Sequence, residues 1–238
     1  LYKCVEFLQN NKDYALAHGK AFVVQLKEEG SHGTINEIKS YSLPIQEEET
    51  AAARLVSLLK DYKVPVNSVM ETNVWIKINE GMGNVKTRII ASELLPACLS
   101  VTYGKIKEID SLGMIRHIHS KRSVLPGLFD DIFTSQNLLP EIFALMHKTL
   151  AQRIIDQDHV SESFARDIIH DALHHYFLQN FVHGILKKYP SIKKDLQAKN
   201  IVKTNNTIKN IVNNTPMLKG IIFPILLLLR KKRLRKFQ

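Results

Sequence analysis

Cysteine is scarce in this sequence, with two among 238 residues, Cys4 and Cys98, both set in apolar patterns. A disulfide framework needs more of them, so the pair reads as buried thiols in a reducing compartment. Long apolar runs are missing as well. The run Gly220 to Leu229 is ten residues and is interrupted by Pro224, against roughly 20 needed to span a bilayer. Acidic residues nearly vanish toward the end: residues 187–238 hold 14 Lys and Arg against one acid, whereas residues 1–186 hold 19 against 22. The net charge of +10 therefore belongs to the tail. Low-complexity and disorder-type composition is absent too. At 45% hydrophobic and 24% charged, the chain can build one substantial core plus an appendage. No initiator Met is present, and Leu1 begins inside a helical pattern without a cap, so the chain reads as a fragment.

Hydropathy period divides the first 80 residues. Leu1, Cys4, Val5 and Leu8 recur at helical spacing, and Asn10 to Asp13 closes that helix. Ala15 to Leu26 reads as a strand interrupted by His18-Gly19. The glycine permits close approach of another backbone or of a ligand, which makes His18 and Gly19 candidates for the substrate side, against a structural role in the strand. Ile35 to Leu43 reads as a second strand. Glu47-Glu48-Glu49-Thr50 opens an Ala-rich helix, Ala51 to Tyr62, with the acids suited to the positive end of its dipole. Val64 to Val69 reads as a strand with Pro65 at its start, Thr72 to Asn79 as helix or strand, and Gly81-Met82-Gly83 as a loop or turn.

The stretch Arg88 to Arg122 carries the densest chemistry. Ser92 is placed to cap a helix with Leu94, Leu95, Cys98 and Leu99 on its apolar face and Pro96 in its first turn. Glu93 then sits near that helix's N-terminus, where the dipole alone favours a carboxylate. After Tyr103-Gly104, a short strand or edge without clean alternation leads to Ile115, His117 and His119 on one strand face and Arg116, Ile118 and Ser120 on the other. A carboxylate with a same-face histidine pair can deprotonate a nucleophile and hold a phosphate or metal; it is equally the pattern of a polar face.

The blocks LYKCVEFLQNNKDYALAHGKAFVV, QEEETAAARLVSLLKDY, IIASELLPACLSVTYGKIKEID and MIRHIHSKR follow one another in this order. This order resembles the C-terminal, acceptor half of a bacterial glycosyltransferase family 2-like domain of GT-A type, over roughly residues 1–150. The resemblance implies an α/β fold, a partial GT-A-like mixed sheet with helices, followed by a helical C-terminal region. It assigns residues 1–125 to the GT-A-like half, 126–190 to a helical region and 191–238 to a basic linker and tail. It makes Glu93 the general base and Arg116, His117 and His119 the contacts to the donor diphosphate or its metal. The partners it implies are a nucleotide-sugar donor and a cell-envelope or lipid-linked glycan acceptor. The D-x-D motif that binds Mg or Mn in such enzymes is not present; Asp156-Gln157-Asp158 lies too late, in a helical pattern. The divalent cation and the nucleotide-binding half are therefore expected ahead of Leu1, and the fragment alone is expected to be inactive.

Two further helices, Pro140 to Ile155 and Ser161 to Tyr189, follow a connector at Pro126 to Asp131. His170 and His174 share a face of the second helix, as in helical metal sites, but zinc asks for three or four ligands. The core stripe there is Ile169, Leu173, Tyr176, Phe177 and Phe181. A non-catalytic, membrane-associated or metal-binding helical module is thus the alternative reading. In the tail, six cations among Arg230 to Lys236 follow the short apolar run. Apolar residues in the lipid interface with cations on anionic headgroups predict a peripheral anchor at the inner face of the cytoplasmic membrane, against an ordinary helix packed on the domain. Nucleic acid is not expected as a partner, since stacking aromatics are lacking beside those charges.

Overall fold

In the computed structural model the described residues are 1–27, 33–82, 85, 87, 90–118 and 138–191. Strand β1 (Tyr14–Leu26) is the axis of a mixed sheet. Its parallel partner is β4 (Lys105–Ile118), aligned from Tyr14 opposite Lys105 to Gln25 opposite Ile118. The other edge of β1 is shared by two antiparallel strands. β2 (Ile35–Tyr41) runs along Ala21 to Leu26, and the two-residue β3 (Val69–Met70) along Leu16 and Ala17. Six helices accompany these four strands among the described residues: α1 (Tyr2–Asn10), α2 (Ala51–Lys60), α3 (Thr72–Met82), α4 (Leu95–Tyr103), α5 (Leu138–Asp158) and α6 (Glu162–Lys188).

The expected strand at Val64 to Val69 is mostly a 3-10 turn, Pro65–Asn67, ahead of β3. Proline has no N–H to give a sheet ladder, and its fixed φ suits the first turn of a helix. Gly81 and Met82 are the last residues of α3 rather than a loop. The region read as a short edge followed by a histidine strand is one strand, β4, whose alternation is broken by bulges. Gly19 faces Ile109 but Lys20 faces Leu112, so Asp110 and Ser111 are extra residues on β4. Lys20 Nζ reaches Asp110 Oδ1 at 2.6 Å across the bulge.

The contacts of the chain fall into two compact units, Leu1–Pro126 with Ile142–Leu173, and Gly127–Glu141 with His174–Gln238. The division falls after Pro126 and again within α5 and α6. In the second unit, the α6 residues Tyr176 and Phe177 meet edge-on with ring centroids 5.6 Å apart, and Phe181, Val182 and Ile185 are buried with them.

In the first unit α4 is the core helix. Leu95, Ala97, Cys98, Leu99 and Val101 are all buried, which is apolar nearly all round, and the helix packs on α2, α3 and β1. Its two buried hydroxyls are satisfied within the helix: Ser100 donates to the Ala97 carbonyl and Thr102 to that of Leu99. Burial pushes the Cys98 thiol well up, so it stays protonated.

Helix α2 begins differently from the expectation. Thr50 Oγ1 accepts from Ala53 N, and the carboxylate of Asp158, more than a hundred residues on, accepts from Ala51 N and Ala52 N at 2.8 Å each. Three of the helix's free N–H groups are thereby paired, a cap worth about 1 kcal/mol or more. The Glu47 to Glu49 run serves the sheet instead. Glu47 takes the Tyr14 hydroxyl at 2.8 Å and Lys107 Nζ at 2.7 Å, and Glu49 takes Lys105 Nζ at 2.9 Å. The Lys107 and Tyr14 hydrogen bonds hold the Glu47 carboxyl below its usual range. Buried Arg54 donates through Nε to the Val101 carbonyl at 2.7 Å and through Nη1 to those of Glu48 and Glu49. It ties the last turn of α4 to the segment that enters α2.

Candidate functional site

Helix α4 is entered through a π-helical turn, Ile90–Leu94. Ser92, expected as its cap, lies inside that turn. Thr87 starts it, with Oγ1 3.4 Å from Ile90 N and its carbonyl accepting from Ala91 N at 3.0 Å. Ser92 has the right identity for a cap, but Ile90 and Leu94 are fully buried, and their burial pulls the turn's start back to Thr87. Glu93 therefore projects from a wide turn before α4, a kind of local irregularity frequent at functional sites.

The Glu93 carboxyl is half-buried, and two groups from distant parts of the chain act on it. Loss of water pushes its pKa above the usual carboxylate value; the Tyr62 hydroxyl beside it and the positive charge of Arg116 oppose that rise without cancelling it. Tyr62 arrives just after α2. Arg116 comes from the far half of β4, opposite Val23 of β1. It reaches across β1 so that Nη1 donates to the Tyr41 hydroxyl at 2.9 Å, with its guanidinium 5.3 Å from the centre of that ring. Hydrogen bond and ring together fix the orientation of the guanidinium.

The remaining sequence candidates are dispersed. His117 follows Arg116 in a regular stretch of β4, so the two side chains leave opposite faces of the sheet. His119 lies outside the described residues. His18 is buried, and both ring nitrogens face backbone carbonyls, Nδ1 that of Gly19 at 3.1 Å and Nε2 that of Pro44 at 2.9 Å. In this arrangement its imidazole serves the fold, holding the segment that leads from β2 to the bridge between Gln46 and Ile106 on the outer edge of β4. Gly19 lies directly beneath the β4 bulge, so the close approach its identity suggested is that of backbone. Tyr62 and Tyr41 escaped sequence reasoning. Neither has a spacing to Glu93 or Arg116 that would single it out.

A cavity of about 500 Å³ opens among the described residues, lined by Val74, Lys77, Glu80, Tyr103, Arg153 and Gln157; Glu93 is not among them. On the helices, His170 Nδ1 is 3.2 Å from Asp171 Oδ1, and His147 Nε2 faces the Arg166 carbonyl at 2.9 Å. Among the described residues no three His, Cys, Asp or Glu side chains gather to hold a metal ion, and no helix is long and apolar enough to cross a membrane.

No protein-family model, curated protein or solved structure matches this chain.

Proposed function

We propose that this chain is the acceptor half of a GT-A-like glycosyltransferase, with Glu93 as general base and Arg116 as the cation that meets the donor. One observation carries the reading. A half-buried carboxylate with a raised pKa stands within electrostatic reach of a guanidinium that Tyr41 holds in place. A base works best when its pKa lies closer to the operating pH than an ordinary carboxylate's does, and partial burial moves Glu93 in that direction. The order of sequence blocks supplies the reaction class.

In the proposed step, Glu93 takes the proton of an acceptor hydroxyl, whose oxygen attacks the anomeric carbon of a nucleotide sugar. The bond from that carbon to the diphosphate breaks, and Arg116 balances charge on the departing diphosphate. The proposed reaction also requires a nucleotide-binding half with Mg or Mn ligands. Within this chain, Tyr62 steadies the ionised base and Tyr41 positions the guanidinium. The proposal places the protein at the cytoplasmic membrane surface, held there by the cations of 230–236; residues 192–238 lie outside the described residues.

The test is sugar transfer from a panel of nucleotide sugars to lipid-linked and cell-envelope glycans, assayed with the nucleotide-binding half present. Arg116→Ala should weaken donor binding by about tenfold or more, the loss of a charge-assisted contact. Donor affinity unchanged in that variant would remove Arg116 from the diphosphate.

A further inference from the structure

The cavity is a second concentration of polar chemistry. Helix α3 supplies Val74, Lys77 and Glu80 to its wall, the end of α4 supplies Tyr103, and α5 supplies Arg153 and Gln157. Arg153 is fixed in place there. Its guanidinium lies 4.3 Å from the centre of the Tyr103 ring, and Nη1 is 3.4 Å from Asp156 Oδ2. Its Nε is buried and donates to no described residue. Folded proteins ordinarily provide an acceptor for a guanidinium N–H that has been withdrawn from water. Lys77, Glu80 and Gln157 are exposed and form no hydrogen bond or ion pair with any described residue, so their polar ends are open to water.

The geometry points to a binding site for a small hydroxylated anion, a sugar bearing a carboxylate or a phosphate. Its anionic group fits between the Lys77 ammonium and the Arg153 guanidinium, which line the cavity from two helices. Glu80 on the same wall decides against a bare anion, which it would repel. A ligand with neighbouring hydroxyls can instead donate to Glu80 and exchange hydrogen bonds with the Gln157 amide. The cavity is within the volume range of small-molecule sites, and its few polar groups converge from three helices. Tyr103 stands ten residues beyond Glu93 along the turn and helix, about 15 Å at 1.5 Å per residue. This site therefore stands or falls independently of the Glu93 reading.

Calorimetric titration of the 238-residue chain with glucuronate, glucose 6-phosphate, glucose and inorganic phosphate tests it. Both sugar anions should bind, with glucose and phosphate each weaker by about tenfold or more, since each lacks half of the recognised chemistry. Whichever sugar anion binds tighter identifies the anionic group preferred. The phosphate titration also accounts for any anion binding by the basic tail. Lys77→Met and Arg153→Met should each weaken the sugar anions by about tenfold. Arg153 packs on Tyr103, so its replacement also risks the fold; Lys77 is exposed and carries the test if Arg153→Met melts early. Failure of both sugar anions to bind overturns the proposal. So does glucose or phosphate binding as tightly as they do, or binding indifferent to Lys77→Met.

Discussion

Glu93→Gln should lower the turnover of the complete enzyme by at least about 100-fold while leaving donor affinity within about twofold, the signature of a lost general base. Glutamine keeps the size and hydrogen-bonding shape of the side chain and removes only its capacity to take a proton. The expected pH dependence follows from the direction of the shift. The base acts only when ionised, so kcat/KM should fall as pH is lowered through the Glu93 pKa, which burial sets above that of an ordinary glutamate. That acid limb should be missing from the residual rate of the variant.

Stability should move in the opposite sense. A carboxyl whose folded-state pKa is raised binds its proton more tightly folded than unfolded. Its contribution is therefore complete below the unfolded value and is lost as pH climbs to the folded one. Above that range the folded protein has lost it and holds the ionised carboxylate at a cost, so Glu93→Gln should be no less stable there than the parent. An activity loss accompanied by a lower melting temperature would instead mark Glu93 as a structural residue. Turnover within about tenfold of the parent would end the base assignment.

Gly19→Ala should cost about 3 kcal/mol or more, the upper end of what overpacking usually costs. A Cβ placed there would stand 2.5 Å from the Ser111 carbonyl oxygen and 2.7 Å from Gly113 N. Both are backbone atoms of the β4 bulge, so no side-chain rotation relieves the clash. The central pair of the sheet has to separate, or the bulge has to be rebuilt. For a chain of this size the melting temperature should drop by about 6–12 °C. A variant within about 1 kcal/mol of the parent in urea unfolding would mean that β1 and β4 do not approach this closely.

Elements specified by their own residues were legible. The helical spacing of Leu1, Cys4 and Leu8, the alanines of α2 and the long apolar stripes of α5 and α6 place those helices within a few residues of where they are. What was not legible depends on partners far away in sequence. Asp158 reads locally as a helix-end carboxylate, and nothing near it announces that it caps α2. Glu47 to Glu49 read as a helix start because the lysines that draw them off, Lys105 and Lys107, lie more than fifty residues on. The broken alternation of residues 106–113 is a bulge in a parallel pair, which requires knowing that β1 is the neighbour.

The candidate site divides in the same way. Glu93 and Arg116 were recognisable as residue types in a dense stretch, and the fold brings them within electrostatic reach. The histidines do not join them: His18 is bonded to backbone and His117 leaves the other face of the sheet. Tyr62 and Tyr41, which condition the carboxylate and the guanidinium, could be found only in three dimensions. So could the cavity, whose wall is drawn from α3, α4 and α5.

The state of the Glu93 carboxyl is the point on which the account turns, and it can be read in this chain without donor or acceptor. A carbon-13 NMR titration of its carboxyl resonance should give a pKa above that of an unperturbed glutamate, and Arg116→Met should raise it further, because the guanidinium favours the ionised form. A carboxyl that titrates at or below the ordinary value, and is indifferent to Arg116→Met, would contradict the account.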